Sequence, residues 1–260
     1  MVSANKWLKA FCISKRSFVI PFVALICFLF LWEISCRLFT IPVYLVPSPI
    51  QVLKVLRDNG TELLYDTWIT SSEAFLGFAL ANILSLGMAV FFTISKTCKQ
   101  AFYPYMIGLK SMPLVAIAPL LVIWFGYGLF GKVIMAAFIS FFPLVVNATI
   151  GMNSVDGDAL DLMRSFSASR LAILMKLRFP TAIPYIFSAL KISTGLAVVG
   201  AIIAELTGAK QGLGFTIMVA SYNIDTPMLF AAIFLSSVIG ILSFGIICLI
   251  EKIILQKYSF

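Results

Sequence analysis

The chain has 260 residues, 61% of them hydrophobic and 12% charged, with a formal net charge of +8. A soluble domain carries about 25% charged residues, so the composition excludes a water-soluble globule and makes lipid the principal solvent. Histidine is absent and the five cysteines form no Cys-x-x-Cys pair, which excludes a serine–histidine hydrolase, a zinc site and a disulfide framework.

In chain order, Lys6, Lys9, Lys15 and Arg16 precede an uncharged run from Phe18 to Trp32. No small-x-small cleavage pattern follows it, so an uncleaved first span is expected over 18–38, with Glu33 structural near its outer end. Residues 47–66 begin Pro-Ser-Pro and set Val52, Leu53, Val55 and Leu56 around Lys54 and Arg57, the pattern of a helix lying in the membrane interface. Five more spans are expected at 74–94, 103–125, 133–151, 185–204 and 228–250. The third carries Lys110, Pro113 and Pro119 and should be kinked or broken, packed on protein instead of lipid.

Residues 126–133, GYGLFGKV, have the glycine and lysine spacing of a phosphate-binding loop. Val133 stands where the magnesium-holding Ser or Thr belongs, and the stretch joins two spans instead of a strand and a helix. It is read as a tight turn. Residues 212–223, GLGFTIMVASYN, are too apolar for a free loop and too short to cross, which suits a re-entrant or surface-lying helix.

With the N-terminus inside, cytoplasmic segments hold thirteen basic residues and the opposite side five. The excess therefore reads as orientation, with both termini cytoplasmic, and not as a nucleic-acid footprint, for which a basic stripe with interleaved aromatics is missing. The expected organisation is a tail over 1–17, a first span with an amphipathic segment over 18–66, a permeation core over 67–251 and a tail over 252–260.

Residues 152–184 then form a polar cytoplasmic excursion. Asp158 suits a helix cap, and Asp161 adds negative charge near the positive end of a helix over 159–166, with Leu162, Met163 and Phe166 close to one side. Ser167-Ala168-Ser169 suits a turn. A second helix should run over 170–179 with Lys176 and Arg178 in its last turn, and Pro180 should stop it. Two readings fit this basic helix–elbow–helix with Arg164 and Arg170: a handle gripped by a separate protein, or an amphipathic linker on anionic lipid.

The stretch resembles the EAA loop of bacterial ABC importer permeases, whose pattern is Glu-Ala-Ala, three residues, Gly, nine residues, then Ile-x-Leu-Pro. Here it reads Asp161-Leu162-Met163, three residues, Ser167, nine residues, Leu177-Arg178-Phe179-Pro180. The spacing holds, while Asp replaces Glu, larger residues replace both alanines and Ser replaces Gly. YLVPSPIQVL (44–53), SSEAFLGFALA (71–81), PLLVIWFGYG (119–128) and AELTGAKQGLGF (204–215) resemble the nitrate/taurine/sulfonate-type branch of these permeases. The runs LMRSFSAS and KISTGLAVVGAIIAE resemble members importing thiamine precursors or related vitamin-like heterocycles.

The resemblance implies an all-α membrane protein of six transmembrane helices with MetI-like architecture, in the bacterial cytoplasmic membrane. It implies that Asp161, Leu162, Met163, Arg164, Ser167, Arg170 and Pro180 couple the chain to a cytoplasmic ATPase. It further implies two such ATPases, a second permease subunit forming a homodimer, and an extracytoplasmic binding protein that delivers solute. No cofactor is expected in this chain, and ATP hydrolysis falls to another.

Along the solute path, Lys191 and Glu205 lie in or at the end of the fifth span, 14 residues and about 21 Å apart, too far to pair. Lys191 either lines the path, binds a backbone carbonyl or snorkels to the interface. Glu205 either shapes an outer gate or anchors at the interface. Gly195 and Gly200 serve either helix packing or a smooth conduit wall. A stand-alone secondary transporter is the alternative, and it calls for paired inverted repeats and mid-span acidic or histidine relays. A lipid-modifying enzyme would need a catalytic Asp, His or Ser cluster at one membrane face.

Overall fold

The computed structural model describes residues 15–257 except Ser111. Residues 1–14 and 258–260 of the two expected tails lie outside the described residues. Every regular element described is helical, as the apolar composition requires of a chain that must satisfy its backbone internally in lipid.

The contacts divide the chain into two compact units, 1–60 with 220–231, and 61–219 with 232–260. In the first unit, helix α1 (Lys15–Leu38) leads through a turn to the short α2 (Pro49–Asp58). Ser48 caps α2 in a reciprocal box with Gln51, and Pro49 occupies the first helical position, where its missing N–H costs nothing. A short helix is therefore present within the 47–66 segment expected to be interfacial, and it ends at Asp58. Glu33 has the structural role expected of it. It pairs with Arg37 at 2.7 Å and accepts from the Ile50 N–H at the start of α2, at 3.3 Å.

The chain continues with α3 (Gly60–Ile94), α4 (Lys96–Lys110), α5 (Leu114–Phe125), α6 (Leu129–Asn153), α7 (Gly157–Ser165), α8 (Arg170–Ile173), a π turn (Leu174–Arg178), α9 (Phe179–Leu206), α10 (Leu213–Tyr222) and α11 (Thr226–Lys257). Five helical stretches among the described residues are long and apolar enough to cross a membrane, starting at Val19, Gly60, Leu129, Arg170 and Thr226. The expected third crossing is broken between α4 and α5, so it does not add a sixth single helix of that kind. Pro113 has no backbone donor and the chain is extended there.

In the second unit α6 and α9 form the central pair, with α3 beside them. Small residues allow the approach. A side chain on Gly200 would meet the Ala136 Cα at 2.7 Å, and one on Gly77 would overlap the Ala136 side chain. Such stripes bring helices close where lipid supplies no hydrophobic drive. Hydroxyls tie the same interface: Ser193 donates to the Ser140 carbonyl and Ser85 to that of Phe141, both at 2.9 Å. Of the two readings for Gly200, packing is the one this contact supports.

Pro180 does not end its helix. The helical run extends from Arg170 to Leu206, 37 residues, instead of a helix over 170–179 followed by a separate span over 185–204. The π turn closes with the Phe179 N–H on the Leu174 carbonyl, one residue beyond an α bond, and the Thr181 hydroxyl donates to the Leu177 carbonyl at 2.7 Å. The wider turn gives room for a proline ring that an α turn would push against the carbonyl four residues earlier.

Candidate functional site

Two regions of the second unit carry polar chemistry. The first is the excursion between α6 and α9. Helix α7 begins at Gly157, with Asp156 at its N-cap position making no side-chain cap bond. Asp158, expected as the cap, instead lies in the first turn, where its charge faces the helix dipole. Asp161 pairs with Arg164 at 3.0 Å on the exposed surface. Leu162 and Phe166 are 58% and 77% exposed, while Met163 is half-buried. A nine-residue helix that, with its C-cap residue, exposes two large apolar side chains is marginal alone.

Ser167 has φ +54°, the left-handed conformation that the family glycine would adopt without strain. The serine takes it nonetheless, because the Ser167 N–H reaches the Arg164 carbonyl at 2.8 Å and the Ala168 N–H that of Met163 at 3.0 Å. Ser169 then caps α8 through the Ala172 N–H. Arg170 is exposed and Pro180 half-buried. Arg178 donates to the Asn153 side chain at 3.1 Å, bracing the π turn against the end of α6. A left-handed L-residue costs about 1–2 kcal/mol. Ser167→Gly is accordingly expected to raise the melting temperature of the purified protein, and a lowered one would show the turn to be held by the serine side chain.

The second region lies where α3 starts and α9 ends. Glu205 is fully buried. It accepts from the Thr70 hydroxyl at 2.7 Å and from the Gly214 N–H at 2.5 Å. Thr70 in turn accepts from the Leu213 N–H at 2.9 Å. Asp66, also buried, accepts from the Gly212 N–H at 2.8 Å and the Thr216 hydroxyl at 2.6 Å. Two carboxylates thus grip the first turn of α10, where orphan N–H groups and the positive dipole end favour anions. One turn further along α3, Glu73 pairs with Lys132 of α6 at 2.6 Å, their side chains 2% and 13% exposed.

Asp66, Thr70, Glu73 and Lys132 were not singled out as site residues from sequence. For Asp66, Glu73 and Lys132 the usable signal is position: ionisable residues at α3 and α6 positions that the lipid layer would otherwise make costly. Lys191 has a partner that the sequence reading missed, Glu251 of α11 at 2.5 Å. Gly195 meets no atom within 4 Å of an added Cβ. The structure does not gather Lys191, Gly195, Gly200 and Glu205 into one lining.

Beside the ion pair is an open cleft of about 740 Å³, lined by Tyr65, Ser72, Glu73, Tyr127, Lys132, Lys210 and Gln211 among others. The Tyr65 hydroxyl donates to the Gln211 amide oxygen at 3.5 Å. Gly208, at φ +145°, lies against the Tyr127 ring, and a Cβ there would overlap the ring edge.

Residues 81–255 match the family described as binding-protein-dependent transport system inner membrane component. The formylaminopyrimidine transport permease ThiX of Halalkalibacterium halodurans is 33% identical over 245 residues, 93% of this chain and 97% of that protein. The riboflavin transport system permease RibX of Chloroflexus aurantiacus is 30% identical over 236 residues, 90% of this chain and 88% of that one. The putative aliphatic sulfonates permease SsuC of Bacillus subtilis is 28% identical, covering 87% of this chain and 83% of its own. In fold, the chain is similar to inward-facing MetNI methionine ABC transporter structures (TM-score 0.63, 18% identity, 78% of this chain and 99% of that one). It is also similar to an amino acid ABC transporter crystallised with histidines (TM-score 0.61, 19% identity, 76% and 96%).

Proposed function

Since this chain belongs to the family of binding-protein-dependent transport system inner membrane components, and is a permease subunit of an ABC importer and not an enzyme, we propose that it carries a vitamin-like nitrogen heterocycle of the thiamine-precursor kind into a bacterial cell. The substrate class rests on two relatives, 33% and 30% identical over most of their length, named for formylaminopyrimidine and riboflavin. The subunit works as a homodimer in the cytoplasmic membrane, with two ATPase subunits inside and a binding protein outside. The chain crosses six times, the broken α4–α5 pair serving as the third crossing, with both termini cytoplasmic. It needs no cofactor of its own.

In this reading residues 152–184 are the coupling loop. Helix α7, with Asp161, Leu162, Met163 and Arg164, sits in a cleft of the ATPase, and Ser167, Arg170 and Pro180 fix how the lever leaves the membrane. The observation that carries the reading is the pair of exposed apolar side chains, Leu162 and Phe166, on a short charged helix. They need a protein cover. ATP-driven closure of two ATPases would shift α7 and rock the spans between inward- and outward-open states.

The test is co-purification with the cognate ATPase, together with uptake in cells. Arg164→Glu reverses a charge at the docking helix, and Ser167→Pro imposes a φ near −65° where the chain needs +54°. Both are expected to abolish ATPase association and transport while membrane insertion is kept. Normal uptake by both variants would remove the coupling assignment.

A further inference from the structure

The cleft between the start of α3, the α5–α6 turn and the 207–212 loop has a size typical of small-molecule sites, at about 740 Å³. Its walls combine the apolar side chains of Ile69 and Leu129 with polar groups. Lys132, Lys210 and the Gln211 amide bring donors to it, against the single carboxylate of Glu73. Glu73 is engaged by Lys132, and the exposed Lys210 has no ion-pair partner among the described residues. The balance is positive and rich in donors.

The aromatic wall is built and not incidental. Tyr127 is 67% exposed, yet its ring edge lies where any side chain at residue 208 would sit. Glycine leaves that room, and φ +145° at this position favours glycine. The ring lines the cleft with most of its surface open. Across the opening, Tyr65 is 53% exposed and tied through its hydroxyl to Gln211. The Lys132 ammonium, also at the cleft, is held by a carboxylate 2% exposed, so its position does not depend on a ligand.

We propose that this cleft is a solute-binding station within the permease, taking a planar nitrogen heterocycle that bears ring-nitrogen or carbonyl acceptors. Tyr127 provides the stacking face, and Lys210, Lys132 and Gln211 donate to the acceptors. A tetrahedral sulfonate would satisfy the cations and leave the tyrosine face unused. The station rests on the heterocycle reading of the substrate given above.

The experiment is equilibrium dialysis of labelled formylaminopyrimidine against the full-length permease in nanodiscs, paired with uptake by the complete transporter in cells. Saturable binding is expected, weakened about tenfold in Tyr127→Leu, the loss that one stacking contact predicts. Tyr127→Phe should bind as the parent does, and Lys210→Met several-fold more weakly. Excess taurine should not compete. Lys132 is left intact because its removal strands Glu73. Absence of saturable binding in a transporter that does take up the pyrimidine, or equal binding by Tyr127→Leu, overturns the station and leaves the functional reading standing. A transporter that takes up taurine and neither the pyrimidine nor riboflavin overturns the functional reading itself and the station with it.

Discussion

Lys132→Met is expected to cost about 3–5 kcal/mol of folding stability, because it leaves the enclosed Glu73 carboxylate without its counter-charge. No other cation is paired with Glu73 among the described residues. The desolvation cost of the remaining charge, and not the attraction that was lost, dominates the effect. It follows that Glu73→Met combined with Lys132→Met should recover most of the loss, since replacing both members of a buried pair by apolar groups of similar volume is often neutral. Unfolding of the detergent-solubilised protein measures all three variants, and the double-mutant cycle isolates the pair term. A double variant no more stable than Lys132→Met alone would show that the lysine acts through other contacts.

Gly212→Ala should be nearly as damaging, at about 3 kcal/mol or more, for two independent reasons. Residue 212 has φ +106°, where an L side chain is strained. A Cβ there would also overlap the Glu205 carboxylate. Displacing that carboxyl breaks its bonds from Thr70 and the Gly214 N–H, and leaving buried donors unsatisfied costs roughly 1–3 kcal/mol each. Gly240→Ala is the matched control: it lies within α11 with nothing near an added Cβ, so it should be neutral or raise stability by up to about 1 kcal/mol. Equal melting temperatures for Gly212→Ala and the parent protein would dispose of the carboxylate clamp.

The helical class, the apolar runs and the break after Lys110 could be read from sequence because each is a local property of composition or of proline. What lay beyond reach was pairing across long separations. Glu73 and Lys132 are 59 residues apart, and nothing in either neighbourhood names the other. From its position in a turn Lys132 reads as one more basic residue on the outer side. Lys191 was set against Glu205 along the same helix and found too far away, while its true partner, Glu251, approaches from α11. Pro180 misled for a different reason. Proline stops an α-helix, but a π turn ahead of it changes the local geometry, and the π turn has no residue signature of its own. Ser167 shows the reverse: its residue type argues against a left-handed turn, and the two backbone bonds that close the turn prevail.

Acidic residues inside the bundle were expected of a proton-driven transporter. They are present here, as Asp66, Glu73 and Glu205, yet each is engaged by donors from a neighbouring element. Their arrangement is that of fasteners between helices.

The uninterrupted run from Arg170 to Leu206 has a mechanical corollary. Thirty-seven residues in one piece make a rod about 55 Å long, with the serine elbow at one tip and the Glu205 grip on α10 at the other. Taken as one rigid body, although it contains the π turn, Pro180 and Pro184, the run would sweep its far tip by about 1 Å for each degree of inclination at the elbow. In the coupling reading proposed above, work done by an ATPase at the elbow would reach the Glu205 end of the run as displacement.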